Sequence, residues 1–399
     1  MNPPAPLPPE VLGSASTIRN PYPVYRALQH ASPVCYTRLH VASREGRSEP
    51  PYVWMLLRHR EVLAALRDPT AFCAATPQLR EGIPRLMRVR STRPHRTHLW
   101  SLVSEVCSPQ RLSALADQIQ QIAGALLDTV GRGPVELMTA YAAPLSTRMM
   151  VAALGFPSDD APLFKPWCEA GVAYSSMPLK ERPQALQQFT AYLRQAIAAR
   201  RAEPADDLLS AMIAADIEGE SLPDDEIRGA IAGAVISSSE GSANLLGNMM
   251  ALLGDRPELW RRAREDRSLV DPIVEEALRY ESPMQSFSRV TTRAIVVSGM
   301  EIPEGELVDL CCGAANRDPE VFEAPDDFRP ERPTNREHLS FGRGSRYCAG
   351  APLIRLVART TLHAFLDRFP TLGRGTAAPV RQQVARVALG YTSLPLVLG

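Results

Sequence analysis

Phe341-Gly342-Arg343-Gly344-Ser345-Arg346-Tyr347-Cys348-Ala349-Gly350 sets one cysteine among three glycines, just ahead of the helix-like run Pro352-Leu-Ile-Arg-Leu-Val-Ala-Arg-Thr-Thr-Leu. Glycine lets a backbone turn through positive φ and approach a neighbour closely. A helix start offers unpaired N–H groups and positive dipole potential, which favour a thiolate over a thiol. Such a loop can present one thiolate sulfur, ringed by backbone donors, as a soft ligand to iron. Other readings compete. Gly-x-Gly can open a dinucleotide fingerprint, but Tyr347 stands where the third glycine belongs. A P-loop needs Gly-Lys-Ser/Thr, which does not follow, and a plain turn around a buried structural cysteine is the remaining possibility.

The pattern Phe-Gly-x-Gly-x-Arg-x-Cys-x-Gly resembles the haem-ligand signature of the cytochrome P-450 monooxygenases. That resemblance implies a mainly α fold with a minor β region: a triangular single domain of about a dozen helices, with haem between the long central helix and the cysteine loop. The expected boundaries are a Pro-rich extended arm over 1–19 and one domain over 20–399. The resemblance makes Cys348 the proximal ligand of haem b (iron protoporphyrin IX), with Phe341, Gly342, Arg346 and Gly350 also around the cofactor.

Composition agrees with an enzyme of this kind. The chain has 399 residues, 45% of them hydrophobic, and Lys+Arg and Asp+Glu each total 44. A net charge of zero gives no argument for a nucleic-acid partner. The start, Met-Asn-Pro-Pro-Ala-Pro, shows no signal peptide, and no apolar run approaches the roughly 18 residues of a membrane span. The other six cysteines are scattered, with no Cys-x-x-Cys, which suits a reducing cytoplasm. A monomer is expected.

Outward from the loop, other stretches fall in the family's order. Val53-Trp-Met-Leu-Leu reads as a buried strand, followed by a helix around Arg60–Arg67 and the stop Asp68-Pro69. Six arginines (Arg80, Arg85, Arg88, Arg90, Arg93, Arg96) crowd the next region. They form either a solvated face or a mouth for an anionic or carrier-protein-bound substrate. A helix from Thr97 to about Val106 resembles the family's Glu-His-Thr-Arg-Leu-Arg segment, which places Arg96 and His98 at a haem propionate. A His95/His98 metal pair is the competing idea and lacks a third ligand nearby. Residues 110–202 hold three or four helices, the last two a lid.

The run 224–253 is apolar on nearly every side except at Ser237-Ser-Ser-Glu-Gly-Ser, and reads as a central buried helix with a kink or widened turn there. It resembles the family's oxygen-activating helix. Glu240 is then the proton-relaying acid, Gly241 occupies the usual threonine's place, and Ser242 falls on the second threonine. A satisfied buried acid is the structural alternative for Glu240. Val274-Glu-Glu-Ala-Leu-Arg-Tyr puts Glu276 and Arg279 on one helix face, a surface pair unless the family's buried Glu-Arg-Arg network is completed by Arg332. Arg289 aligns with a propionate-binding arginine. Met284, Gln285, Ser286 and Phe287, with Ile236 and Ser237, are expected to line the substrate pocket.

The resemblance implies a monooxygenase acting on a small organic substrate, plausibly in secondary-metabolite biosynthesis. Electrons come from NAD(P)H through a separate ferredoxin and ferredoxin reductase, docking by a basic rim of Arg336, Arg343 and Arg355. Gly241 raises an alternative, a non-hydroxylating oxidation such as coupling or nitration. A haem sensor or electron carrier without turnover is the third reading.

Overall fold

The computed structural model describes residues 7–38, 52–74, 102, 104, 107–171, 177–217, 219–382 and 386–399. The chain divides into two compact units, each discontinuous in sequence. One takes in Met1–Leu79, Asn244–Cys348 and Phe369–Gly399, and the other Arg80–Ala243 and Ala349–Arg368.

The first unit is built on a five-stranded sheet in the order 34–38, 52–56, 307–310, 287–291, 72–73. Val34–Arg38 lies antiparallel to Tyr52–Leu56, which Leu307–Leu310 joins in parallel; Phe287–Thr291 then pairs antiparallel with Leu307–Leu310. Side chains alternate across a strand. Val34, Trp54, Leu56, Val308 and Leu310 therefore enter one buried cluster, while Cys35, Met55, Leu57 and Cys311 enter another. Burial on both faces explains the unbroken apolar run 53–57.

The expected extended arm is instead two short helices, Pro9–Gly13 and Ala15–Arg19. Ser14 caps the second, its Oγ accepting the Thr17 N–H at 3.2 Å. Leu12 and Ile18 are buried, at 1% and 4% exposure. Burying such an aliphatic side chain contributes roughly 1.5–3 kcal/mol, enough to dock a segment whose prolines alone suggest an open chain. Proline at a helix start loses no hydrogen bond.

The second unit is helical. Pro109–Val130, Ala143–Leu154, Ala161–Gly171 and Arg182–Ala202 fill the stretch read as three or four helices, and Ala351–Arg368 packs on the first of them. Trp167 stacks on Phe189 at 5.0 Å between the two expected lid helices. Arg200 ties the end of the second to Asp207 at 2.6 Å and to the Gly155 carbonyl at 3.0 Å.

The helix Asp224–Gly254 runs 31 residues, its first part in the second unit and its remainder in the first. The serines and Glu240 are α-helical throughout, so no widened turn forms there. Ser237 Oγ donates to the Gly233 carbonyl at 2.7 Å, so that hydroxyl is satisfied without opening the ladder. A widened turn occurs at Met138–Ala142, a π segment.

Candidate active site

The cysteine loop begins as a turn in which the Gly342 N–H donates to the Leu339 carbonyl at 2.9 Å. Gly342 and Gly344 have φ of 69° and 73°. At Gly344 the requirement is double, because a Cβ there would stand 2.8 Å from the Leu66 carbonyl oxygen, at the end of the helix His59–Arg67. Tyr347 N–H donates to Gly344 and Cys348 N–H to Phe341, at 3.0 and 2.9 Å. Those bonds turn Cys348 out of the core: it is partly exposed, whereas Cys35, Cys168, Cys311 and Cys312 are buried. Burial pushes Cys35 up to about 12 and Cys311 up to about 11, which makes both inert thiols. Phe341 is buried, Arg346 and Gly350 half-buried.

Two sets of contacts fix the segment leading into the loop. In one, Arg279 Nε and Nη2 donate to the two Glu276 carboxylate oxygens at 2.7 and 2.8 Å, both residues fully buried. Arg332 Nε lies 3.5 Å from Glu276 Oε1, and its guanidinium also donates to the carbonyls of Glu323, Ala324 and Asp327. In the other, which sequence reading missed, Asn316 Oδ1 accepts the Leu339 N–H at 2.7 Å. Asn316 Nδ2 donates to Ser340 Oγ at 2.9 Å, and Ser340 Oγ donates to the Leu278 carbonyl at 2.7 Å. His338 Nδ1 accepts the Ser340 N–H, leaving Nε2 to face Glu275 at 3.2 Å.

Arg289 sits in the strand Phe287–Thr291 opposite Val308. It is 8% exposed, and burial holds its guanidinium below the ordinary arginine value. Its Nη1 donates to the Ser288 carbonyl, and among the described residues no carboxylate pairs with it. Phe287, half-buried, lies 3.7 Å from where a Gly342 Cβ would be. Met284 is half-buried and Ser286 buried. Gln285, 1% exposed, donates to the Tyr22 hydroxyl at 3.3 Å and the Ser282 carbonyl at 2.8 Å, so its amide serves the core of this unit.

In the second unit, Glu240 and Gly241 are half-buried, Ile236 buried and Ser237 exposed. Among the described residues, a Cβ on Gly241 would meet nothing within 4 Å. Ser242, 1% exposed, has a hydroxyl with no hydrogen-bond partner among the described residues. Arg96 and His98 lie outside the described residues, as do Arg80, Arg85, Arg88, Arg90 and Arg93.

Among the described residues Arg289 is a buried cation with no carboxylate paired to it, and Cys348 is a partly exposed cysteine, a donor set that suits an acidic, metal-bearing group. The sequence profile described as cytochrome P450 matches residues 149–383. Erythromycin C-12 hydroxylase of Saccharopolyspora erythraea is 32% identical over 87% of this chain and 89% of its own. Cyclomarin C epoxidase CymV of Salinispora arenicola is 31% identical over 87% and 88%. The solved structure of cytochrome P450 CYP109Q5 from Chondromyces apiculatus superposes with a TM-score of 0.85 at 27% identity, covering 97% of both chains.

The chain belongs to the cytochrome P450 family and is a cytochrome P450 monooxygenase with that family's mainly α fold. The family implies haem, and the residues fit it. Among the described residues no carboxylate pairs with the buried guanidinium of Arg289, and Cys348, in the same unit, is partly exposed in a loop closed by backbone hydrogen bonds. Among the described residues no helix is long and apolar enough to cross a membrane.

Proposed function

We propose that this monooxygenase inserts one oxygen atom into a small organic substrate of secondary metabolism, with NAD(P)H electrons passed on by a ferredoxin and its reductase. The observation that carries the reading is the Cys348 loop, whose backbone hydrogen bonds and glycine turns leave Cys348 partly exposed. Haem, when bound, would supply the redox chemistry, and a thiolate ligand would tune it by donating electron density. The chain's own residues hold and orient. Cys348 ligates; Arg289 and Arg346, with Arg96 and His98, neutralise the propionates. Glu240 would hold a proton near the substrate, and the Ser242 hydroxyl, buried and with no hydrogen-bond partner among the described residues, would donate or accept in that relay. Ile236, Ser237, Met284 and Phe287 border the substrate. The hydroxylase and epoxidase relatives support a natural-product substrate. Reduced protein under carbon monoxide should show the red-shifted Soret band of thiolate ligation. Cys348→Ala should abolish it, and a band that persists in the variant sinks the assignment.

Gly241 supports a second reading, a non-hydroxylating oxidation, because the open space over its Cα holds no hydroxyl. Gly241→Thr should lower the hydrogen peroxide released per product if a donor is missing there. An unchanged ratio with the true substrate counts against that reading.

A further inference from the structure

The helix Ala161–Gly171 ends against the turn of the long helix that precedes Glu240. Cys168 and Gly171 are three residues apart and share one helix face. The Cys168 sulfur lies 4.0 Å from the Val235 carbonyl oxygen, with the Ser239 hydroxyl beside it. Burial pushes this thiol up to about 12, and the nearby charge of Glu240 adds to the effect. At Gly171, a Cβ would stand 2.3 Å from Ile236 Cδ1 and 2.9 Å from Cγ1. The shorter distance is roughly 1 Å inside ordinary carbon–carbon contact. Only a hydrogen lets the two helices close this far. Rotation about χ2 can move Cδ1, but Cγ1 and Cγ2, at 2.9 and 3.1 Å from that Cβ, are held by the one χ1 rotamer a β-branched residue favours in a helix, and Ile236 is 3% exposed. Ile236 and Glu240 are spaced i, i+4 and lie on the same face.

We propose that Gly171 and Ile236 form a steric gauge that sets the thickness of substrate admitted beside Glu240, with Cys168 seating the same helix one turn earlier. Gly171 is a positioning residue that acts through Ile236. The inference rests on the reading of 236–242 as the substrate-side wall of the haem site. A methyl group at 171 lifts the end of the helix off Ile236 and enlarges the space next to it. Ile236→Ala enlarges the same space from the other side.

The probes are imidazole and 4-phenylimidazole, titrated by their Soret shifts on haem-loaded protein that shows the thiolate band. Gly171→Ala should raise the affinity for 4-phenylimidazole relative to imidazole about fivefold, the size of one disturbed side-chain packing. Introduced into Ile236→Ala, the same change should have no further effect. A ratio that stays within measurement error, or a shift that recurs undiminished in the Ile236→Ala background, overturns the gauge. Ile236→Ala only removes atoms and keeps the test open where Gly171→Ala fails to accumulate; by itself it should raise the ratio, and an unchanged ratio again overturns the gauge. Failure with the thiolate band present concerns the gauge alone. Wild-type protein without that band overturns the haem-thiolate reading and the gauge with it.

Discussion

Glu276→Ala removes the anion shared by two buried arginines beside the cysteine loop. Removing one partner of a buried ion pair costs about 3–5 kcal/mol, because the remaining charge stays desolvated. Arg279 keeps some compensation, since it also donates to the carbonyls of Asn316, Pro325 and Asp327 at 2.9, 2.9 and 3.1 Å. That argues for the low end, about 3 kcal/mol. Glu276 Oε1 also accepts the Arg329 N–H at 2.8 Å, and orphaning that donor adds about 1 kcal/mol. The expected loss of about 4 kcal/mol is a large share of the roughly 5–15 kcal/mol that holds a folded domain. Glu276→Gln, which keeps the shape and one acceptor, should lose less. Urea unfolding followed by far-UV circular dichroism gives the stability change, and the thiolate-type Soret band reports the loop. The control is Glu258→Ala, which breaks an exposed pair with Arg261 and should leave the midpoint unmoved. If Glu276→Ala shifts the midpoint no more than this control, the claim that the pair locks the approach to Cys348 is wrong.

Gly344→Ala should cost about 1–2 kcal/mol for left-handed backbone alone, with the clash against Leu66 adding to it. The thiolate band should fall further than in Gly342→Ala, where a Cβ meets only ordinary 3.7 Å contacts; equal effects refute the close-approach argument. Arg289→Leu should leave the apoprotein as stable or more so, because a buried cation without an anion is removed. It should speed haem loss to a scavenger protein about tenfold, the worth of one charge-assisted hydrogen bond. A destabilised apoprotein with normal haem retention contradicts that role. Arg374 donates to both Asp255 oxygens at 2.7 and 2.6 Å and holds this carboxyl below its ordinary value. A lowered folded value stabilises above the unfolded one, and that gain fades as pH falls through the folded one. Wild type should therefore exceed Asp255→Asn in stability above about pH 4, and the gap should close below it; a pH-independent gap rules out the linkage.

Several elements were legible because their signals are local. The glycine spacing of 342–350, the helix 351–368 and the apolar run 224–253 each follow from hydrogen bonds within a few residues, whose periodicity is written in the chain. The family resemblance, rather than spacing, is what brought Arg332 to Glu276, fifty-odd positions away. Local reading erred where packing decides. The Pro-rich start folds into helices because Leu12, with Leu7 and Val11 beside it, finds a cluster made of residues 22 to 389.

The sequence by itself determined the family and the order of the helices, and it singled out Cys348 as the proposed ligand, since these rest on residue identity and short-range backbone preference. Only the tertiary structure decided that Arg289 is buried without a carboxylate, that Gln285 is tied to Tyr22, that His338 and Asn316 anchor the loop, and that Gly171 admits Ile236. Each of those depends on which distant groups share a small volume, and burial sets the energy of a polar atom or a methyl only once its neighbours are fixed.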